Sequence, residues 1–275
     1  MVKAHANNRV ASLIKGFTLP LEEFLQFMKG AGVVISGSGA LHVVQPGHFH
    51  PADLDLYAPF GYLEAIHRFL IETTQYILVF DEPYPRSRPG SNAGQVNENP
   101  TGIRVVRYYV NTLSGKVINV IETRLAAAPS AVFMFYSTYV MNFITGSTVV
   151  CAYPLMVERH VGLLNTYRER IPYKMARCLK KYVGRGFAVL DSASDWQPDH
   201  KCGESLYCAE TTRVITDGAT LRILFGENGG REQDLIDPGL RWKLASRFRC
   251  HSLSEADKSF PRSGMVVSRG SALSE

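Results

Sequence analysis

The sequence predicts an α+β protein, with a mixed β-sheet backed by helices over residues 1–125 and a mainly helical region over 126–251. Three observations carry this reading. Short β-branched runs bounded by Gly and Pro alternate, up to Thr123, with segments whose apolar residues recur at helical spacing. Two of those runs flank Leu113-Ser114-Gly115 and read as a hairpin. Beyond Pro129 long charge-free stretches take over and read as buried helices. The 275 residues are enough for a real core, and 45% apolar with 20% charged residues is ordinary for a globular chain.

In order, Thr18-Leu19-Pro20 reads as the start of a helix, with Thr18 as N-cap, Pro20 in the first turn and Gly30 or Gly32 at its end. Leu21, Phe24, Leu25 and Met28 share its buried face. A short strand (Val33-Val34-Ile35), a turn at Gly37-Ser38 and a brief helix over Ala40–Val44 follow, then a Pro-, Gly- and His-rich loop and a strand at Asp53–Tyr57. Pro59 reads as the opening of a second helix, whose stripe is Leu63, Ile66, Phe69 and Leu70. Tyr76–Phe80 is a strand, and residues 82–102 form a surface loop rather than a polyproline ligand. Ile103–Asn111 and Lys116–Thr123 complete the hairpin.

The chemistry concentrates in VVISGSGALHVVQPGHFHPADLDLY, residues 33–57. Side chains alternate along a strand, so Asp53 and Asp55 share one face while Leu54 and Leu56 enter the core. Two carboxylates that close repel unless a cation lies between them, and Mg²⁺ (or Mn²⁺) is commonly held by such a pair together with substrate phosphates. Gly37 and Ser38 present backbone N–H groups and a hydroxyl at a strand-to-helix turn, where a phosphate is favoured.

This Gly-Ser, short helix, Asp-x-Asp arrangement resembles the nucleotidyltransferase superfamily, the polymerase-β-like fold, and is nearest to fungal nucleotidyltransferase-like proteins. The resemblance rests on about 25 residues of motif and implies a nucleotidyltransferase-like sheet through residue 125. It also implies a third carboxylate on the second hairpin strand, completing the metal site or activating the attacking hydroxyl. The sequence there is Ile118-Asn119-Val120-Ile121-Glu122, so the matching position is Asn119. Its amide is uncharged and is no base at neutral pH. Glu122 falls on the opposite face of a regular strand.

In the second half, Phe133–Phe143 and Leu155–Leu164 read as buried helices, and Pro172–Tyr182 as a helix ended by Gly184. Lys174, Arg177 and Lys181 recur on one face of it, with Lys180 beside them, and are candidates for nucleotide-phosphate or nucleic-acid contact; a solvated helix surface is the plainer alternative. Arg185-Gly186-Phe187 reads as the helix exit. Residues 191–235 are irregular, Leu221–Phe225 is a strand and Arg241–Phe248 a short final helix. Arg213 and Asp217, four apart, pair on a helical turn. His200, Cys202, Cys208, Cys250 and His251 make a poor zinc set because their spacing is too wide. Residues 252–275 read as a disordered tail.

A net charge of +5 permits an anionic partner without demanding one. Five irregularly spaced cysteines and an N-terminus lacking a signal-peptide apolar block point to an intracellular protein, cytoplasmic or nuclear. Residues 125–157 carry no charge, but Pro129, Gly146 and Pro154 interrupt them, so a buried pair of helices is preferred to a membrane span. Two functions remain open. One is Mg²⁺-dependent transfer of a nucleoside monophosphate from an NTP to an acceptor, with Asp53, Asp55 and Asn119 at the reacting centre and Gly37, Ser38, Lys174, Arg177 and Lys181 on the nucleotide. The other is a degenerate module on the same fold that binds nucleotide, nucleic acid or protein without turnover.

Overall fold

The computed structural model describes residues 2–47, 49–83, 102–226, 236–246 and 265–267. It opens with a helix not anticipated from the sequence, α1 (Val2–Gly16), whose Ala6, Val10, Leu13 and Ile14 are buried at helical spacing. Helix α2 (Leu21–Ala31) stops at Gly32, whose φ of 64° places it in the left-handed region. Thr18 is not its cap: the cap position is Pro20. Thr18 takes a φ of 54° instead, and its hydroxyl accepts from Asn111 Nδ2 at 2.8 Å.

The expected alternation follows: β1 (Val34–Ser36), α3 (Gly37–Val44), β2 (Asp53–Ala58), α4 (Leu63–Thr73), β3 (Tyr76–Pro83), β4 (Ile103–Asn111) and β5 (Val117–Thr123). Helix α4 starts at Leu63 rather than Pro59. The β4–β5 turn is closed by Asn111 Oδ1, which accepts from the N–H groups of Leu113 and Ser114 at 3.0 and 2.9 Å, and by Gly115 at a φ of 66°.

Past Pro129 the helical expectation is corrected. Short 3₁₀ turns (Ala128–Met134 and Thr138–Val140) lead into β6 (Asn142–Ile144), β7 (Thr148–Cys151), the single-turn α5 (Pro154–Glu158) and β8 (Val161–Leu163). The segment is charge-free because it is buried, and burial alone does not distinguish strand from helix. Its β-branched residues and the turn at Thr145 decide for a hairpin: Thr145 Oγ1 accepts from Ser147 N and Thr148 N at 3.2 and 2.9 Å. Helix α6 (Tyr173–Val183), β9 (Ala188–Leu190), α7 (Ala193–Trp196), β10 (Arg213–Val214) and β11 (Leu221–Leu224) come next. Arg241–Lys243 forms strand β12 in place of the expected final helix, and Met265–Val267 (β13), within the expected tail, pairs with it. The remainder of that tail, most of the 82–102 loop, Cys250 and His251 lie outside the described residues.

The main sheet runs β11-β7-β6-β1-β2-β5-β4-β3, with β2·β5 its one parallel pair. Strands from beyond residue 125 thus extend the N-terminal sheet instead of building a separate helical unit. One face carries Leu54, Leu56, Ile118 and Val120 into a core with α1, α2 and α4. The other carries Val34, Tyr57, Val106 and Ile121 against the 3₁₀ turns and Trp242. A third cluster, including Leu41, Tyr139, Tyr182 and Phe187, ties α6 to α3. Among the described residues no helix is long and apolar enough to cross a membrane.

Candidate functional site

Strand register assembles the site. Ser36 lies opposite Asp55, Asp55 opposite Asn119, and Asn119 opposite Tyr108, so the four side chains stand in one row on one face across β1, β2, β5 and β4. Asp53 precedes Asp55 by two residues and shares that face. Asn119 Nδ2 donates to Asp53 Oδ2 at 3.0 Å and to Asp55 Oδ1 at 2.9 Å. The amide therefore sits nitrogen-inward; turned round, its oxygen would oppose two carboxylate oxygens. The position matched to a third carboxylate holds a donor that cross-links the other two.

Burial pushes the Asp55 carboxyl up to about 6, and the neighbouring Asp53 adds to this, while the Asn119 hydrogen bond and the Lys181 charge oppose it. Gly37 packs directly beneath that carboxyl. It has a φ of 63°, and a Cβ there would strike Asp55 Oδ2. Only glycine satisfies both conditions.

Ser38 follows in the first turn of α3 and is 2% exposed; its Oγ has no hydrogen-bond partner among the described residues. The preceding residue, Ser36, is committed elsewhere: its Oγ donates to Asn142 O at 2.6 Å, fastening β1 to β6.

Of the basic face on α6, only Lys181 comes near enough to bear on Asp55. Arg177 and Lys174 are exposed and lie roughly 6 and 10 Å farther along the helix axis, at about 1.5 Å per residue. No contact joins them to Asp53 or Asp55 among the described residues, so of the three basic residues Lys181 alone is seen to act on the carboxylates. Arg185, read from sequence only as part of the helix exit, stands at the same end. Its guanidinium lies 3.8 Å from the Phe49 ring centroid and 5.0 Å from that of Tyr182.

Glu122 is on the opposite face, as its spacing predicts, and is fully buried. It ion-pairs with Arg104 and accepts from Gly61 N and Leu63 N at 2.8 and 3.4 Å. Its work is to anchor the start of α4. Arg213 and Asp217 do pair, but across a turn after β10 rather than on a helix, with the Arg213 guanidinium 4.8 Å from the Tyr153 ring centroid and 5.0 Å from that of Trp242. The Cys202 and Cys208 sulfurs are 3.8 Å apart, whereas His200 Nδ1 meets Gln197 O at 2.9 Å. No group of three or more His, Cys, Asp or Glu suited to a metal occurs among the described residues.

Comparison with known proteins returns no match: no family model, curated protein or solved structure aligns with the chain. The resemblance to nucleotidyltransferases therefore rests on the motif residues alone. The Mg²⁺ it implies can be judged by donor chemistry. Two carboxylates on one face, one of them made harder to ionise by burial and by the other, suit a single divalent ion completed by phosphate oxygens and water. The third position adds no negative charge to them.

Proposed function

We propose that this protein binds a nucleoside triphosphate through its phosphates and a divalent cation, on a nucleotidyltransferase-like site that has lost turnover. Asn119 carries the reading, because its amide donates to both Asp53 and Asp55. Asp53 and Asp55 would hold the cation, which when bound neutralises phosphate charge. The α3 N-terminus and the Ser38 hydroxyl receive phosphate oxygens. Lys181 adds positive charge from the other wall. Asn119 has no lone pair basic enough to take a proton from an acceptor hydroxyl at neutral pH, so the acceptor is not activated.

The test pairs NTP binding, measured by calorimetry with Mg²⁺, Mn²⁺ or EDTA, with transfer of labelled nucleotide to RNA, protein and small acceptors. Metal-dependent binding without transfer is expected. Metal-dependent transfer by the unaltered chain would favour the catalytic reading, and absence of binding would end both.

A further inference from the structure

Cys202 and Cys208 belong to neither the carboxylate row nor the α6 face, yet their sulfurs lie 3.8 Å apart. The chain between them explains the approach. Gly203 takes a φ of 77°, in the left-handed region that lets the backbone reverse directly after Cys202. Glu204 N and Ser205 N donate to Lys201 O at 3.2 and 2.8 Å, and Cys208 N donates to Ser205 O at 2.9 Å. These consecutive turns carry Cys208 back beside Cys202. Bonds from the following segment frame them: Thr211 Oγ1 donates to Ser205 O at 2.7 Å, and Arg213 Nη1 to Leu206 O at 3.4 Å. Arg213 is itself fixed by the Asp217 carboxylate. The two sulfurs are therefore brought together by the fold.

The two thiols differ in access. Cys208 is 3% exposed, whereas Cys202 is partly exposed and within reach of a small reagent. The Glu210 N–H donates to Cys208 Sγ at 3.4 Å and tethers the buried sulfur. His200 does not join them, since its Nδ1 meets Gln197 O, and no metal-holding group occurs among the described residues. What the turn assembles is a dithiol with one outer and one inner sulfur. Bonded sulfurs stand about 2 Å apart, so side-chain rotation has roughly 2 Å to close.

We propose that Cys202 and Cys208 are a reversible oxidation site, a dithiol–disulfide pair whose co-substrate is a low-molecular-weight disulfide of the glutathione class. The Cys202 thiolate attacks one sulfur of glutathione disulfide and breaks its S–S bond. One glutathione leaves as a thiolate and takes up the proton that Cys202 gave away. Cys208, losing its own proton, then attacks Cys202 Sγ, and the mixed disulfide breaks to release the second glutathione. Two thiols become one disulfide while glutathione disulfide becomes two glutathiones, so two electrons and two protons pass between them. Excess glutathione runs the same steps backwards. The closed loop includes Leu206, whose carbonyl receives Arg213, so oxidation secures that corner covalently. The proposal is independent of the nucleotide-binding reading.

The experiment equilibrates the full chain in buffers of stepped glutathione disulfide-to-glutathione ratio, quenches with acid, alkylates and digests with trypsin. Cleavage after Lys201 and Arg213 leaves both cysteines on one peptide, Cys202–Arg213. By mass spectrometry that peptide is expected two hydrogens lighter and unalkylated in the oxidising buffers, and doubly alkylated in excess glutathione. Cys208→Ser should stop at a glutathione adduct on Cys202, and Cys202→Ser should leave Cys208 unmodified. The folded chain should oxidise about tenfold more readily than the chain unfolded in urea, because the fold supplies the proximity. By linkage the oxidised chain should then melt roughly 3–5 °C higher than the reduced one. If either variant proves unfolded by circular dichroism, the wild-type peptide decides. Two alkylated thiols at every ratio, a lasting glutathione adduct in wild type, or a bond from Cys202 to another cysteine overturns the pair. Equal oxidation of folded and unfolded chains overturns it too, since the fold would then contribute nothing.

Discussion

Asn119 donates from Nδ2 to Asp55 Oδ1 at 2.9 Å across the one parallel strand pair of the main sheet. In a parallel pair the hydrogen bonds slant evenly and leave opposed side chains level, so the amide reaches Asp55 without a bulge. Because the same nitrogen also meets Asp53, the chain carries its own counter-donor where two carboxylates crowd together.

Replacing that donor should convert the site's electrostatics. Asn119→Asp is nearly isosteric, but it removes two hydrogen bonds to charged groups and adds a third negative charge. In EDTA the variant should lose roughly 3 kcal/mol of stability by denaturant titration. Mg²⁺ should restore most of the loss and bind more tightly than to wild type. A variant as stable as wild type in EDTA would show that Asn119 does not hold the carboxylates as described.

The pH dependence follows from Asp55. Its carboxyl ionises near 6 in the folded chain and near 3.8 unfolded. Between those values the folded state holds the extra proton, so stability falls as pH rises from about 4 to 6 and stays lower above. The loss is at most about 3 kcal/mol. Asp55→Asn in EDTA should therefore melt higher than wild type at pH 7 and lose that slope. A wild-type melting temperature that rises through this window without the same rise in Asp55→Asn would contradict the assignment.

Glu122 should behave as a structural carboxylate. Glu122→Ala strands two N–H groups at the start of α4 and frees Arg104, costing about 2 kcal/mol. Mg²⁺-dependent ATP affinity of the folded variant should match wild type. A selective loss of metal binding at unchanged stability would instead make Glu122 the missing third carboxylate.

What the sequence made legible was local. The turn at Gly37-Ser38 and the alternation of Asp53 and Asp55 with Leu54 and Leu56 depend on residues close in the chain, and both appear where expected. The β6–β7 hairpin was not legible because every position there is buried, which erases the polar–apolar alternation that marks a strand. Arg185 was hidden for a different reason. Its guanidinium lies over Phe49, distant in sequence, with no carboxylate paired to it among the described residues, and no local spacing encodes either. The one available signal was a lone arginine after a helix rich in lysine.

Lys181 and Lys174 should separate cleanly. Lys181→Ala removes a charge that lowers the Asp55 carboxyl, so that group should titrate higher by NMR and ATP should bind several-fold more weakly at low salt. Lys174→Ala, exposed and a full two turns away, should change neither. Equal losses in both would restore the whole helix face to the site.

The bond from Ser36 Oγ to Asn142 O joins residues 106 apart in the chain. During synthesis, strand β1, the support of the Gly37-Ser38 turn, has one edge unpaired until that distant stretch emerges. At about 5–20 residues per second the wait is roughly 5–20 s. Through that interval the apolar Val34 and Ile35 sit beside an open strand edge, the feature that invites pairing with another chain. A nascent chain stalled before residue 142 should accordingly need a chaperone to stay monomeric, and a fragment ending at residue 125 would prolong that exposure indefinitely.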